Sequence, residues 1–272
     1  MINPSNYEKE LEIALTAAEE AGEVMDEYQQ GEIEIDERKS GHNDIVTKAD
    51  MECQEKVVET ISSSFPEDGF LGEEEDLSPG GEDRVWIIDP IDGTTNFQRG
   101  RDYFCCSVAL REDGEYKVGV VYSPESGTGT VYYAVENEGA YRTESLEDWR
   151  DAESISVSDQ DIQGALGMAE ISSRSTERLE KGLEITRELM KDEATVFRMP
   201  GAAALELCEI AEGGMDFRTD FIYEWDYAAG NLIVEEAGGQ TDTREYGGKL
   251  RQNTASNGIF HEDLMDIVRK YT

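Results

Sequence analysis

The chain of 272 residues is long enough to bury a substantial core, in one large domain or two lobes of ordinary size. Its 62 acidic against 24 basic residues give a formal net charge of −38, which argues against nucleic acid and anionic membranes as partners, since both need a basic patch, and suits a surface built for concentrated salt, where the Debye length falls to about 3 Å. A hydrophobic content of 38%, with 12 Tyr, 8 Phe and 3 Trp, excludes a disordered acidic polymer.

The first predicted element is a helix from Tyr7 to Tyr28, with Leu11, Ala14, Leu15, Ala18, Ala21, Gly22 and Met25 on one stripe and acids opposite. After an alternating stretch near Ile35 comes KSGHNDIVTKAD, residues 39–50, a polar loop in which Thr47 is placed to cap a second helix running to about Ser64. FPEDGF closes that helix, and LGEEE, residues 71–75, follows an apolar pair. The apolar run Val85, Trp86, Ile87 and Ile88 predicts a buried strand, and DPIDGTTNF, residues 89–97, sets two acids at its end. Because Pro90 cannot donate to a ladder and Asp is disfavoured in strands, the sheet is expected to stop there and the chain to turn. Strand patterns then cover Phe104 to Leu110, Tyr116 to Tyr122, Thr130 to Val135 and Gly139 to Arg142, as an antiparallel sheet. The second half predicts strands near Ala165 to Met168 and Ala194 to Phe197, with helices over Ser175 to Met190, Pro200 to Glu212 and Trp225 to Ala237. A two-lobed α+β body follows, with residues 1–150 as an N-terminal lobe and 151–272 as a C-terminal α/β lobe that completes the site, the two forming one compact unit.

Cys53, Cys105, Cys106 and Cys208 have no metal-binding spacing and read as four free, mostly buried thiols, with Cys105 and Cys106 on opposite faces of a strand. No apolar leader or long uncharged run is present, so the expected compartment is the cytoplasm. Only His42 and His261 occur, both read as surface residues, which removes multi-histidine metal cages. Phosphate-cradling glycine motifs are also absent. Chemistry therefore has to rest on carboxylates, the ligands preferred by hard cations such as Mg²⁺. An EF-hand is ruled out because Ile91, Gly93 and Gly100 occupy positions that need oxygen ligands. In EWDYAAG, residues 224–230, Asp226 sits between aromatics at the head of an apolar helix, a costly place for a charge unless it is paired or metal-bound; a helix cap is the plain alternative.

Taken in order, LGEE, WIIDPIDGTTNF and WDYAAGNLIVEEAGG resemble the inositol monophosphatase family of metal-dependent, lithium-sensitive phosphatases, and KSGHNDIVTKAD is similar to that family's loop. The resemblance implies a layered αβαβα sandwich and, as in relatives, a homodimer. It further implies that Glu73, Asp89, Asp92, Asp226 and the backbone carbonyl of Ile91 hold two or three Mg²⁺ ions, with Asp89 bridging two of them. Thr94 and Asp50 would orient and activate the attacking water, and Glu73 would help hold it. Backbone amides around Gly93 and Thr94 would receive the phosphate, while Lys39 and Asp44 would lie on a loop beside a third, weaker ion. Gly201, Ala202 and Ala203, with Asp92 and Asp226, would contact a small phosphorylated metabolite. The family's inositol-binding glutamate falls at Thr219, which separates this chain from strict inositol specificity, and Arg218 and Arg198 are candidates for a second phosphate. The implied activity is a phosphomonoesterase acting on a sugar or polyol phosphate such as inositol 1-phosphate. Alternatives are a fructose-1,6-bisphosphatase, an adenosine 3′,5′-bisphosphate 3′-phosphatase and, outside enzymes, a catalytically silent divalent-ion binding protein.

Overall fold

The apolar run at Val85 to Ile88 lies within a strand that crosses the larger of two main sheets. A computed structural model describes residues 6–29, 35–38, 45–73, 81–124, 129–169, 175–192 and 195–272. The chain opens with helix α1 (Glu8–Gln29), a short hairpin of β1 (Ile35–Arg38) and β2 (Ile45–Thr47), and helix α2 (Lys48–Ser64). Next come β3 (Asp68–Gly72), β4 (Gly81–Asp92), the short helix α3 (Thr94–Gln98), β5 (Cys105–Glu112), β6 (Glu115–Ser123), β7 (Thr130–Val135), β8 (Gly139–Thr143) and β9 (Glu153–Ser154). These strands line up in sequence order as a seven-stranded sheet. It is mixed rather than purely antiparallel, because β3 pairs with β4 in parallel while each later pair is antiparallel.

The second half contributes β10 (Leu166–Ala169), α4 (Thr176–Asp192), β11 (Val196–Phe197), α5 (Ala203–Ala211), β12 (Phe217–Ile222), α6 (Glu224–Glu236), β13 (Gln240–Gly247), β14 (Leu250–Ser256) and α7 (His261–Val268). Five of these are strands, in the order β11-β10-β12-β14-β13, where the sequence pattern predicts only two. The reason is chemical: the face of β12 and β14 that carries Thr219, Gln252 and Thr254 is buried yet polar, so apolar alternation is missing. Hydrogen bonds link its polar groups, with Thr219 and Thr254 hydroxyls 2.9 Å apart and Gln252 Nε2 donating to Thr219 at 3.0 Å, while Gln252 Oε1 has no partner.

Alternation along the strands sorts the core into layers. Ile88, Cys106, Val108, Leu110, Val118 and Val120 pack on one face against α1 and α2, whose Leu11, Leu15, Ala18, Val57 and Ile61 are buried. Ile87, Cys105, Ala109 and Val121 pack on the other face against α5 and α6. Helix α6 is buried nearly all round because it lies between the two sheets. On the far face of the second sheet, Phe217 meets Ile185 and Leu189 of α4 and Leu264 and Val268 of α7. The order of layers is helix, sheet, helix, sheet, helix, an αβαβα sandwich. All four cysteines are free and buried, with Cys105 and Cys106 in different layers. Among the described residues no helix is long and apolar enough to cross a membrane. His261 is 2% exposed rather than on the surface; its Nδ1 lies 2.9 Å from the Ser256 hydroxyl, anchoring the start of α7.

Candidate functional site

Strand β4 does not end at Asp89. It continues through Pro90 to Asp92 by means of a bulge: Asp89 pairs with Ser107 and Asp92 with Cys105, so three steps on β4 match two on β5. A proline is tolerated there because the bulge already interrupts the ladder. The extra residue also resets the alternation of sides. Ile91 turns its side chain to the α1–α2 layer, and Asp92, opposite Cys105, joins Asp89 on the face toward α5 and α6. Both acids are buried, 1% and 8% exposed.

The chain then passes Gly93, whose φ of +89° an L side chain rarely adopts. A Cβ there would also lie 2.9 Å from the Tyr103 carbonyl and 3.1 Å from Ala202 Cβ, so glycine is needed twice over. Helix α3 starts at Thr94, whose hydroxyl donates to the Ile91 carbonyl at 3.0 Å. The first amides of any helix lack intrahelical acceptors. Asp50, in the first turn of α2, is 1% exposed. Glu73 follows the end of β3 and is exposed. Asp226 lies in the first turn of α6 and accepts the Tyr223 amide at 2.7 Å, so it does serve as a cap.

Electrostatically these acids form one group. Burial, and then the charges of Glu73, Asp92, Asp226 and Asp50, hold the Asp89 carboxyl well above the usual carboxylate range. Burial also raises Asp92, opposed by the amides of Ala204 and Ala203, the first accepted at 2.6 Å. Burial, followed by Asp92, pushes Asp226 up to about 7. Asp89 Oδ1 is buried and has no hydrogen-bond partner. An orphaned carboxylate oxygen ringed by four further acids is the donor set a hard divalent cation requires. Among the described residues no three His, Cys, Asp or Glu side chains are gathered closely enough to hold an ion between them as they stand. Like charges do not close to coordination distance unaided, and the fit to a metal rests on the donor chemistry and the orphan oxygen.

Ala202 lies against Gly93, Gly201 lies beside Asn96, and Ala203 opens α5. Of the two candidate arginines, Arg198 is exposed and donates to the Phe197 carbonyl at 2.8 Å. Arg218 is 0% exposed, held by Glu206 at 3.0 Å and Asp220 at 2.6 Å, so it is an interior ion-paired group rather than an open phosphate contact. Thr219 lies on the face of β12 opposite Arg218, beside Thr254, while Asp220, the next residue, shares Arg218's face. Lys39, Asp44 and His42 lie outside the described residues. Sequence reasoning overlooked Glu206, 1% exposed in the apolar helix α5. The argument that singled out Asp226, an acid stranded among apolar neighbours, would have found it.

Comparison with known proteins bears on this geometry. The model of the inositol monophosphatase family matches residues 6–269. A protein of Thermotoga maritima named fructose-1,6-bisphosphatase/inositol-1-monophosphatase is 35% identical over 247 residues, 88% of each chain. The Nus factor SuhB of Pasteurella multocida is 34% identical over 232 residues, 84% of this chain and 83% of that one. The solved structure of an IMPase from Thermotoga maritima superposes with a TM-score of 0.81 at 30% identity, covering 97% of this chain and 98% of that one.

Proposed function

Because the chain belongs to the inositol monophosphatase family and is a phosphoric monoester hydrolase, we propose that it is Mg²⁺-dependent and hydrolyses a small sugar or polyol phosphate such as inositol 1-phosphate. The observation that carries this reading is Asp89, a buried carboxylate with an unpartnered oxygen among four other acids. In this reading Glu73, Asp89, Asp92, Asp226 and the Ile91 carbonyl hold two or three Mg²⁺ ions. When bound, Mg²⁺ neutralises phosphoryl charge, makes water acidic enough to attack at neutral pH and offsets the repulsion between a polyanionic protein and an anionic substrate.

The chain's own residues do the rest. Thr94 donates its hydroxyl hydrogen bond to the Ile91 carbonyl, so its oxygen is left to accept from and orient a water, and Asp50 takes that water's proton. The Gly93 and Thr94 amides receive the phosphate. Gly201, Ala202 and Ala203 face the polyol. A second substrate, fructose 1,6-bisphosphate, is supported by the name of the Thermotoga maritima relative. A catalytically silent ion-binding protein is disfavoured because Thr94 and Asp50 are both retained. The reading extends to a homodimer in the cytoplasm with a small metabolite as its partner; light scattering in molar KCl tests the dimer. The enzymatic test is a panel of sugar and polyol phosphates assayed in molar KCl with and without Mg²⁺. Phosphate release that needs Mg²⁺ and is abolished by Asp92→Asn is expected. Silence toward every ester, or full activity in Asp92→Asn, would refute the reading.

A further inference from the structure

The segment from Pro200 to Ala204, which carries the residues facing the polyol, is clamped from several directions. Asn96 Nδ2 lies within donating distance of the carbonyls of Tyr103 at 2.8 Å, Pro200 at 3.0 Å and Gly201 at 3.4 Å. Asp92 accepts the Ala204 amide at 2.6 Å. The Gly201 amide donates to Glu206 Oε1 at 3.0 Å, with Gly201 at a φ of +95°. Glycine reaches that conformation without strain but also leaves it freely, so these bonds are what select it.

The acid that fixes the amide is itself fixed. Glu206 Oε2 accepts from Arg218 Nε at 3.0 Å, and Arg218 Nη2 donates to Asp220 at 2.6 Å. Glu206 and Arg218 are 1% and 0% exposed, and Arg218 Nη1 has no hydrogen-bond partner. A buried ion pair with an unsatisfied donor is a poor way to stabilise a core, because apolar side chains of similar volume do as well or better. Its retention beside the site points to a role in placing something.

We infer that Glu206 and Arg218 are positioning residues for the polyol side of the substrate: Arg218 fixes the Glu206 carboxylate, Glu206 fixes the Gly201 amide, and the backbone from Gly201 to Ala203 is thereby set facing the pocket. The inference rests on the phosphatase reading above. Neither residue touches the reacting phosphate, so the effect belongs mainly to substrate binding.

The test compares wild type, Glu206→Leu/Arg218→Met and Arg218→Lys in molar KCl with Mg²⁺, using inositol 1-phosphate, fructose 1,6-bisphosphate and p-nitrophenyl phosphate, which lacks a polyol. In the double variant, KM for the better polyol ester rises about tenfold with a much smaller change in kcat, and its kcat/KM advantage over p-nitrophenyl phosphate falls by a similar factor. Arg218→Lys, which keeps the charge, recovers part of that loss. A folded double variant with unaltered KM, or one in which all esters decline in parallel, overturns the inference. Should the double variant not fold, hydrogen exchange in Glu206→Gln decides: selective loss of protection at residues 200–204 is expected, and unchanged protection overturns the inference. Wild-type protein inactive on every ester removes the functional reading, and the inference with it; active wild type with unaltered variants removes the inference alone.

Discussion

Replacing Asp89 with asparagine should reverse the sign of its effect on stability according to whether Mg²⁺ is present. In the metal-free protein this carboxyl is 1% exposed, one oxygen has no partner, and Glu73, Asp92, Asp226 and Asp50 all oppose its ionisation. An uncompensated buried polar group of this kind costs about 1–3 kcal/mol. The amide is isosteric and uncharged, so Asp89→Asn removes the part of that cost that comes from charge and from repulsion by the neighbouring acids. For a chain of this size each kcal/mol moves Tm by about 2–4 °C, so metal-free Asp89→Asn should melt several degrees above metal-free wild type. Saturation with Mg²⁺ at about 100 times Kd adds about 2.7 kcal/mol to wild type. Little of this gain should reach the variant, whose site has lost its central ligand. Thermal melts of both proteins in 2 M KCl, with EDTA and then with Mg²⁺, would read this crossover, alongside a loss of phosphate release. A variant less stable than wild type without metal, or one stabilised by Mg²⁺ to the same extent, would refute the claim that Asp89 is a strained anion awaiting a cation.

Three further outcomes are expected. With a net charge of −38, the fold should gain stability steadily as KCl rises from 0.2 to about 2 M, because screening shortens the reach of self-repulsion; melts that do not shift with salt would contradict this. Gly119→Ala should both destabilise and slow the enzyme, since a Cβ there would meet the Ala229 carbonyl of α6 at 2.8 Å. Pushing α6 off the sheet costs about 1–3 kcal/mol and displaces Asp226, so unaltered activity would count against the placement of that helix. Burial holds the His261 imidazole below its ordinary pKa, although Asp242 and Glu262 pull it upward. The folded state then binds fewer protons than the unfolded one, so this contribution is complete above about pH 6.5 and is lost as pH falls toward the folded value. His261→Gln should flatten the stability–pH curve between about pH 7 and 5 by up to 1.4 kcal/mol per pH unit, and an identical slope in the variant would disprove it.

Much of the layered body was legible because its helices and the central strands follow apolar spacing: the stripe through Leu11, Leu15 and Ala18 and the run from Val85 to Ile88 are buried in their elements. Three features escaped for physical reasons. Pro90 argued for a strand end, but a bulge absorbs a proline, and alternation alone carries no sign of an added residue. The strands β12 and β14 bury Thr219, Gln252, Asn253 and Thr254, polar residues that bond among themselves or, for Asn253, to Asn231 and Thr243, and so look like surface to a reading based on hydrophobicity. The sequence marks Arg218 as a candidate phosphate contact and His261 as a surface residue, whereas the enclosure of the first depends on a partner distant in sequence, Glu206, and the charge near the second comes from Asp242. The acids around Asp89 were legible as strings, whereas their mutual reach depends on how α2, β4 and α6 meet.

The bulge in β4 has a consequence for how the gene can change. On a regular strand the third residue after Asp89 would point to the opposite layer, so the added residue is what keeps Asp92 beside Asp89, and straightening the bulge at fixed length would swing the Asp92 carboxylate into the greasy compartment beneath α1 and α2. Losing one codon between Asp89 and Asp92 leaves two steps, which a regular strand returns to the same side. Clones one codon shorter at this turn should therefore still fold with both carboxylates in the layer beneath α5 and α6.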